Sequence, residues 1–593
     1  MNLNPQQQKA VVFGDGPLLI LAGAGSGKTR VIVHRVAHLI KEREVSPKAI
    51  LCITFTNKAA EELKSRLGQM LPIKGRGITA GTFHAFCARL LRLEGENINI
   101  PKEYVIWDRA DQLNAIKKII KEKGLEKRYA PTSILNTISQ AKNELVSALE
   151  YPQIAQGPFQ EIVAEVYLAY QKKLKESGAL DFDDLLSETV RLFQKSPETL
   201  AKYQERYRYI FIDEYQDTNH AQYLLTKLLA QKHQNLCVVG DIAQSIYSFR
   251  GADYRNILRL KKDFPQLTVI NLKQNYRSTQ NILDAAYHVI SQTTAYPTLH
   301  LWTKKEKGDK IFLYQGQNEQ DEARFITEKI ISLISQGNSP QDFAVLYRTN
   351  AQSRIIEETF LQYNLRYRLI GGVRFYERKE IKDILSFLRL ITNPHDQAAQ
   401  ERVEKIGKRI LKQVEKIREE LKPPLPPTIS LLEKIFLETN YLSRFKKENE
   451  EDASRLENIK ELKSVAQKLT DVNQFLENIA LMEQEYLPQE KIFNQKENNK
   501  ITLMTLHAAK GTEFPVVFIS GLEEGLLPHS RSLLNHSELE EERRLCYVGM
   551  TRAKEKLFLT LTQSRLIFGQ YNHNSPSRFL ADIPEELIEE AGY

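Results

Sequence analysis

Long apolar runs are missing from this chain. The stretch Leu18 to Ala24 is apolar but far too short to span a bilayer, and no charged-apolar-small leader opens the sequence, so neither membrane insertion nor export is expected. Cysteine is scarce. Cys52, Cys87, Cys237 and Cys546 are the four in 593 residues, and no pair of them has the spacing of a disulfide framework or a metal site. Cys52 and Cys237 lie in strand-like apolar runs, which suits buried free thiols in a reducing, cytoplasmic setting. No internal repeat or disordered tail is visible. Neither sign of charge dominates: 83 Lys and Arg against 75 Asp and Glu leave a net +8, mildly basic and weakly suggestive of a polyanion partner. With 42% hydrophobic and 27% charged residues the composition is that of a folded soluble protein, and its length calls for several domains.

What is present begins at "LILAGAGSGKTRVIV", positions 19 to 33. An apolar strand from Pro17 to Leu21 leads into Ala22, Gly23, Ala24, Gly25, Ser26, Gly27, Lys28 and Thr29, and a helix-like pattern follows from Arg30. The phosphate-loop pattern is G-x-x-x-x-G-K-[ST]. Ala22 replaces its first glycine, while Gly27, Lys28 and Thr29 fit. Small residues let backbone N–H groups curl round a phosphate, and the next helix adds its positive N-terminus. Lys28 is expected on the β- and γ-oxygens, and Thr29 on Mg²⁺. Further on, "YRYIFIDEYQDT" places a strand, Tyr209 to Ile212, before Asp213 and Glu214. Asp213 is the second candidate for holding Mg²⁺, and Glu214 is a candidate for polarising the attacking water.

Lys28 and Asp213 are 185 positions apart, more chain than one compact α/β unit needs between them. Apolar runs at 49–56, 209–212, 236–241 and 267–272 supply further strands of a parallel sheet. The expected first domain therefore covers 1–89 and 181–277, interrupted by a Lys-rich helical insertion at 90–180. Strand-like runs at 310–316, 343–348, 501–507, 516–522 and 556–562 build a second α/β domain over 278–391 and 497–593. It is interrupted by a charged helical insertion at 392–496, which "KPPLPP" at 422–427 divides in two. Ile381, Ile384, Leu385, Leu388 and Ile391 share one helical face and read as core.

In order along the chain stand "LNPQQQKAV", "AGAGSGKT", "TFTNKAA", "GTFHAF", "DFDDLL", "IDEYQDTN", "VGDIAQSIYSFRGA", "LKQNYRS", "MTLHAAKGTEFPVVFISGLEEGLLP" and "EEERRLCYVGMTRAKEKL". This series resembles the UvrD/PcrA/Rep family of superfamily one DNA helicases, from residue 3 to about residue 558. The resemblance implies two RecA-like P-loop domains with helical insertions, the second insertion shorter than is usual. It implies that Gln7 reads adenine, that Tyr276 stacks on the base, and that Glu513 accepts a ribose hydroxyl, with Arg30 grouped beside the phosphate loop. Arg277 and Arg552 match the two arginines that reach the γ-phosphate, and Gln244 matches its sensor. A guanidinium suits that task because it is always charged and binds two oxygens. On the DNA side the resemblance implies contacts from Phe55, Thr56 and Asn57, from Thr82, Phe83 and His84, and from Tyr247 and Phe249 as stacking platforms. His507 is implied as the link between nucleotide state and DNA. Phe249 stands where a tryptophan is common, Ala243 where an acid is, and Thr512 where an apolar residue is.

The expected activity is an ATP- and Mg²⁺-dependent 3′–5′ helicase in repair or replication. Its partners would be single-stranded and tailed duplex DNA, and it would be a monomer or weak dimer with no membrane association. A translocase that strips proteins from single strands with little unwinding is the second reading, which the short insertion makes plausible. A helicase–nuclease subunit is a third, disfavoured because the chain ends about forty residues after Arg552.

Overall fold

The computed structural model describes residues 3–73, 75–125, 128–446, 449–480, 499–567 and 570–590. By their contacts these form two units. One is Met1–Arg277 with Ala295–Lys304, and the other is Ser278–Thr294 with Lys305–Tyr593. The 295–304 segment, placed in the second domain from sequence, packs with the first unit, where strand Trp302–Thr303 pairs with Gln274–Asn275.

The first unit is built on a six-stranded parallel sheet. Its strands are β1 (Leu18–Ala22), β2 (Ile50–Thr54), β3 (Thr79–Thr82), β4 (Tyr209–Ile212), β5 (Leu236–Gly240) and β6 (Thr268–Leu272), in the order β3-β2-β4-β5-β1-β6. Ile20 pairs with Val239 on one side and Ile270 on the other. The inner strands are apolar along their whole length because helices cover both faces of a parallel sheet. Helix Lys28–Lys41 places Val31, Ile32, Val36 and Leu39 against it. Cys52 and Cys237 are in this core, and burial pushes the Cys237 thiol up to about 11. A separate helical core, built on Arg109–Glu122, Pro131–Asn143 and Pro158–Glu176, lies between β3 and β4 in the chain. A short parallel pair, Val105–Trp107 with Ala179–Asp181, ties its two ends together.

The second unit holds a seven-stranded parallel sheet: β7 (Ile311–Gly316), β8 (Phe343–Tyr347), β9 (Tyr367–Ile370), β10 (Ile501–Thr505), β11 (Phe514–Ile519), β12 (Ala553–Thr562) and β13 (Ile588–Glu590). Their order is β9-β10-β8-β11-β12-β7-β13. Helix Lys379–Thr392 buries Ile381, Ile384, Leu385, Leu388 and Ile391, as its apolar stripe requires. That face packs into one core with Gln397–Ile406, Lys408–Glu420, Thr428–Thr439 and Glu450–Lys468. The proline-rich 422–427 stretch interrupts the helices, as expected. The boundary expected at 496–497 lies in part outside the described residues.

Sequence patterning misses β3, β9 and β13. Each is at a sheet edge, where one side is unpaired and the apolar run is short.

Candidate functional site

All six strands of the first sheet run parallel, so their carboxyl ends share one edge, the edge where open α/β sheets bind ligands. β1 ends in the phosphate loop, β4 in Asp213 and Glu214, and β5 in Asp241. The loop is shaped by two left-handed glycines, Gly25 at φ +65° and Gly27 at φ +84°. A Cβ on Gly25 would fall 2.7 Å from Asn275 Nδ2 and 2.8 Å from Arg277 Cβ, so glycine is needed for space as well as for conformation. Asn275 Nδ2 donates to the Ala24 carbonyl at 2.7 Å, and Tyr276 N–H donates to the Gly25 carbonyl at 3.0 Å. The Ser26 hydroxyl donates to the Gly23 carbonyl at 2.8 Å. The "QNYR" segment therefore buttresses the phosphate loop from within the same unit.

The candidate catalytic groups assemble behind it. Lys28 Nζ is 3.3 Å from Glu214 Oε2, and the Thr29 hydroxyl donates to Asp213 Oδ2 at 3.3 Å. Burial opposes the Lys28 charge, but the carboxylates of Glu214, Asp241 and Asp213 outweigh it and raise its pKa. Burial first, then the like charge of Glu214, pushes Asp213 up to about 7, against the pull of Lys28. Burial also raises Asp241. Three carboxylates around one ammonium leave an excess of negative charge. Together with a hydroxyl beside a carboxylate, that is an oxygen donor set suited to Mg²⁺, which takes few protein ligands and completes its shell with water and phosphate. Among the described residues no group of three or more His, Cys, Asp or Glu forms a closed metal cage.

Gln7 lies against the phosphate loop. It is fully buried, its Nε2 donates to the Ser26 carbonyl at 2.9 Å, and its Oε1 accepts the Asn4 N–H at 3.1 Å. Its amide is engaged by the phosphate loop and by the capping box of helix Pro5–Val12. Tyr276 is 41% exposed, with its hydroxyl accepting from Asn4 Nδ2 at 2.9 Å. Gln244 is buried and donates to Asp241 Oδ2 at 2.6 Å.

The expected DNA residues follow the ends of β2, β3 and β5. Phe55 and Tyr247 stack, centroids 5.7 Å apart at 10°, and Phe249 meets Tyr247 edge-on at 6.0 Å. Phe249 is 45% exposed. Thr56 and Thr82 cap the helices Asn57–Met70 and Phe83–Glu94 with their hydroxyls, and Asn57 is exposed. His84 packs edge-on against Phe182 at 5.7 Å, and burial lowers its pKa. Phe83, which opens the second of these helices, is buried, so its ring packs in the core.

In the second unit, Arg552 is also buried. Its guanidinium donates to the carbonyls of Val548, at 2.8 Å, and Thr512, at 3.3 Å, and to the Thr551 hydroxyl, at 3.0 Å. Glu513 pairs with Lys554 Nζ at 2.8 Å. His507 follows β10 in a half-buried turn. Thr512, where an apolar residue is usual, turns its hydroxyl to the Ala509 carbonyl at 2.7 Å.

Sequence reasoning overlooks Asn275, Asp241 and Gln216, all buried polar residues at strand ends or in the turn just beyond one, inside the quoted segments. A polar side chain set into an otherwise apolar strand end is the signal that could have singled them out.

The phosphate loop, the acids at the neighbouring strand end and the parallel sheets define a P-loop nucleotide hydrolase with two RecA-like halves. The chain belongs to the UvrD/REP helicase family. The family's "UvrD/REP helicase N-terminal domain" matches residues 3–265, and the "UvrD-like helicase C-terminal domain" matches 270–425 and 408–564. The chain is 46% identical to the ATP-dependent DNA helicase PcrA of Bacillus subtilis (strain 168), covering 99% of this chain and 86% of that one. It is 44% identical to the PcrA of Leuconostoc citreum (99% and 86%) and 42% identical to that of Staphylococcus aureus strain Mu50 (99% and 87%). Among the described residues no helix is long and apolar enough to cross a membrane.

Proposed function

We propose that the protein is an ATP-driven motor that moves 3′ to 5′ along single-stranded DNA and separates duplex ahead of it. One observation carries this reading. A single parallel sheet presents, at one edge, both a phosphate loop with its acids and a row of packed aromatics, half-buried Phe55 and Tyr247 and exposed Phe249. Hydrolysis and strand contact are thereby built on the same strands, and β5 leads into both Gln244 and Tyr247.

The chemistry follows from the residues. Lys28 and the phosphate-loop amides hold the β- and γ-phosphates of ATP. Thr29 and Asp213 are the groups that would hold Mg²⁺, which when bound neutralises charge on those phosphates. Glu214 orients the attacking water and takes its proton. Arg277 and Arg552 are assigned to the γ-phosphate, where charge builds during transfer; such fingers are worth on the order of 10³–10⁵ in rate. Bases stack on Tyr247 and Phe249, an interaction indifferent to sequence. Separating a base-pair step costs about 1.4 kcal/mol on average, so the energetic demand on each step is modest. The first RecA-like domain is assigned to 1–89 and 181–277 with the 295–304 segment, and the second to 278–294, 305–391 and 497–593.

A strand-separation assay on duplexes with 3′ or 5′ tails tests the reading, with Lys28→Ala as control. Unwinding of the 3′-tailed substrate alone, lost in the variant, is expected. Unwinding from the 5′ tail, or undiminished hydrolysis by Lys28→Ala, would overturn it. DNA-stimulated hydrolysis without strand separation would favour a translocase that strips bound proteins.

A further inference from the structure

Gln216 lies in "DEYQDT", is fully buried, and has no part in the chemistry assigned above. Its Nε2 donates to Glu214 Oε2 at 2.5 Å, and its Oε1 accepts the backbone N–H of Asp241 at 3.0 Å. Its neighbours fix which way the amide faces. A carboxylate only accepts and a backbone N–H only donates, so the flipped amide would set oxygen against oxygen and N–H against N–H. The fold makes room for this amide. A Cβ on Gly240 would lie 2.8 Å from Gln216 Oε1 and 3.5 Å from its backbone nitrogen, which explains glycine at the end of β5. The Gln216 carbonyl accepts the Ser245 hydroxyl at 3.1 Å.

The contacts continue beyond Asp241. Its Oδ2 accepts from Gln244 Nε2 at 2.6 Å, and its Oδ1 accepts the Ala243 N–H at 3.1 Å. A polar path therefore runs Glu214–Gln216–Asp241–Gln244, and Tyr247 follows three residues later. Glu214 itself has φ +51°, a left-handed backbone outside any regular element, so the aim of its side chain depends on what touches it.

We infer that Gln216 is a positioning residue: its amide sets the aim of Glu214 from the strand end that carries Gln244. Engagement of DNA on the Tyr247–Phe249 turn and readiness of the hydrolytic carboxylate then change together. The inference rests on the proposed reading of the protein as a DNA-stimulated ATPase.

The amide's two contacts can be cut separately. Gln216→Glu keeps an acceptor for the Asp241 N–H but removes the donor to Glu214. Gln216→Leu removes both. The measurements are ATP hydrolysis by the full chain with and without oligothymidylate, and thermal stability. For Gln216→Glu the KM for ATP should stay within about twofold of the parent, while kcat with DNA falls at least ~10-fold, the scale of a misaligned general base. The melting temperature should fall, because a second buried carboxylate stands against Glu214, and the kcat loss at unchanged KM in the protein that remains folded is the deciding readout. Because the two glutamines act along one path, Gln216→Glu with Gln244→Ala should lose no more than the worse single variant. Gln216→Leu should show the same kcat loss at unchanged KM.

Parent-like DNA-stimulated kcat in Gln216→Glu would overturn the inference, as would losses that multiply in the double variant. So would a Gln216→Leu defect confined to stability. If the parent shows no DNA-stimulated hydrolysis, the functional reading falls and this inference with it. A DNA-stimulated parent with an unimpaired Gln216→Glu removes the inference alone.

Discussion

The rings of Phe55 and Tyr247 stack with centroids 5.7 Å apart and planes within 10° of parallel, although 192 positions separate them in the chain. They meet because β2 and β5 end at the same edge of one parallel sheet. Phe249 extends the row, edge-on to Tyr247 and half exposed.

That exposure makes Phe249 the cleanest test of the DNA surface. Its outward face is already in water, so Phe249→Ala should leave the melting temperature within a degree or two, the usual scale for a surface change. It should weaken oligothymidylate binding by about 5- to 150-fold, the equivalent of one lost base–aromatic stack of ~1–3 kcal/mol. Fluorescence anisotropy at fixed salt measures this. Unchanged affinity would place the strand elsewhere.

Gly25 tests the phosphate loop without touching a charge. An alanine there must adopt φ near +65° and bring its methyl within 3 Å of Asn275 and Arg277. The left-handed conformation alone costs a non-glycine residue about 1–2 kcal/mol. Gly25→Ala should therefore raise the KM for ATP by at least ~10-fold, since a further clash adds to that cost. Steady-state hydrolysis measures it, and a parent-like KM would show that the loop yields freely.

The phosphate loop and its acids were legible because they are local: a strand, a turn of small residues and a helix occupy 15 consecutive positions. The inner strands were legible for a related reason, being buried on both faces and apolar throughout. β3 carries Gly81 and is only partly buried, so its pattern is weak. What the sequence hides is whatever depends on distant partners. Nothing local says that Gln7 is spent on Ser26, that Phe83 turns inward, or that Asn275 props the loop 251 positions away. Asp241 and Gln216 were hidden likewise, because their partners lie on another strand end.

His84 supplies a pH test. Burial lowers its pKa below 6.5, so the folded state resists protonation that the unfolded chain accepts. Between the lowered value and 6.5 the unfolded state binds more protons, and stability rises with pH. The stabilisation is complete above pH 6.5 and is lost as pH falls below it. The melting temperature of the parent should fall more steeply from pH 7.5 to 5.5 than that of His84→Gln. Parallel slopes would mean that this imidazole titrates as if in water.

Lys142 carries the strongest stability prediction. Its ammonium is 2.7 Å from both Asp181 Oδ2 and Asp184 Oδ1, and all three side chains are almost wholly buried. Asp181 and Asp184 form the capping box of helix Phe182–Lys195, with Asp184 N–H donating to Asp181 Oδ1 at 2.8 Å. Burial raises and Lys142 lowers the Asp181 pKa, and the lysine prevails. Burial, with the charge of Asp181, pushes Asp184 up to about 7. Lys142→Met fills the space but leaves buried carboxylates without a counter-ion, which costs about 3–5 kcal/mol. Urea denaturation should show that loss at pH 8, and a smaller one at pH 5, where protonation relieves the uncompensated charge. Adding Asp181→Asn and Asp184→Asn to Lys142→Met should restore most of it, because asparagine still caps the helix while the two carboxylates that faced the ammonium are gone. A triple variant as weak as Lys142→Met would locate the stabilisation in packing of the lysine stem and not in the charge cluster.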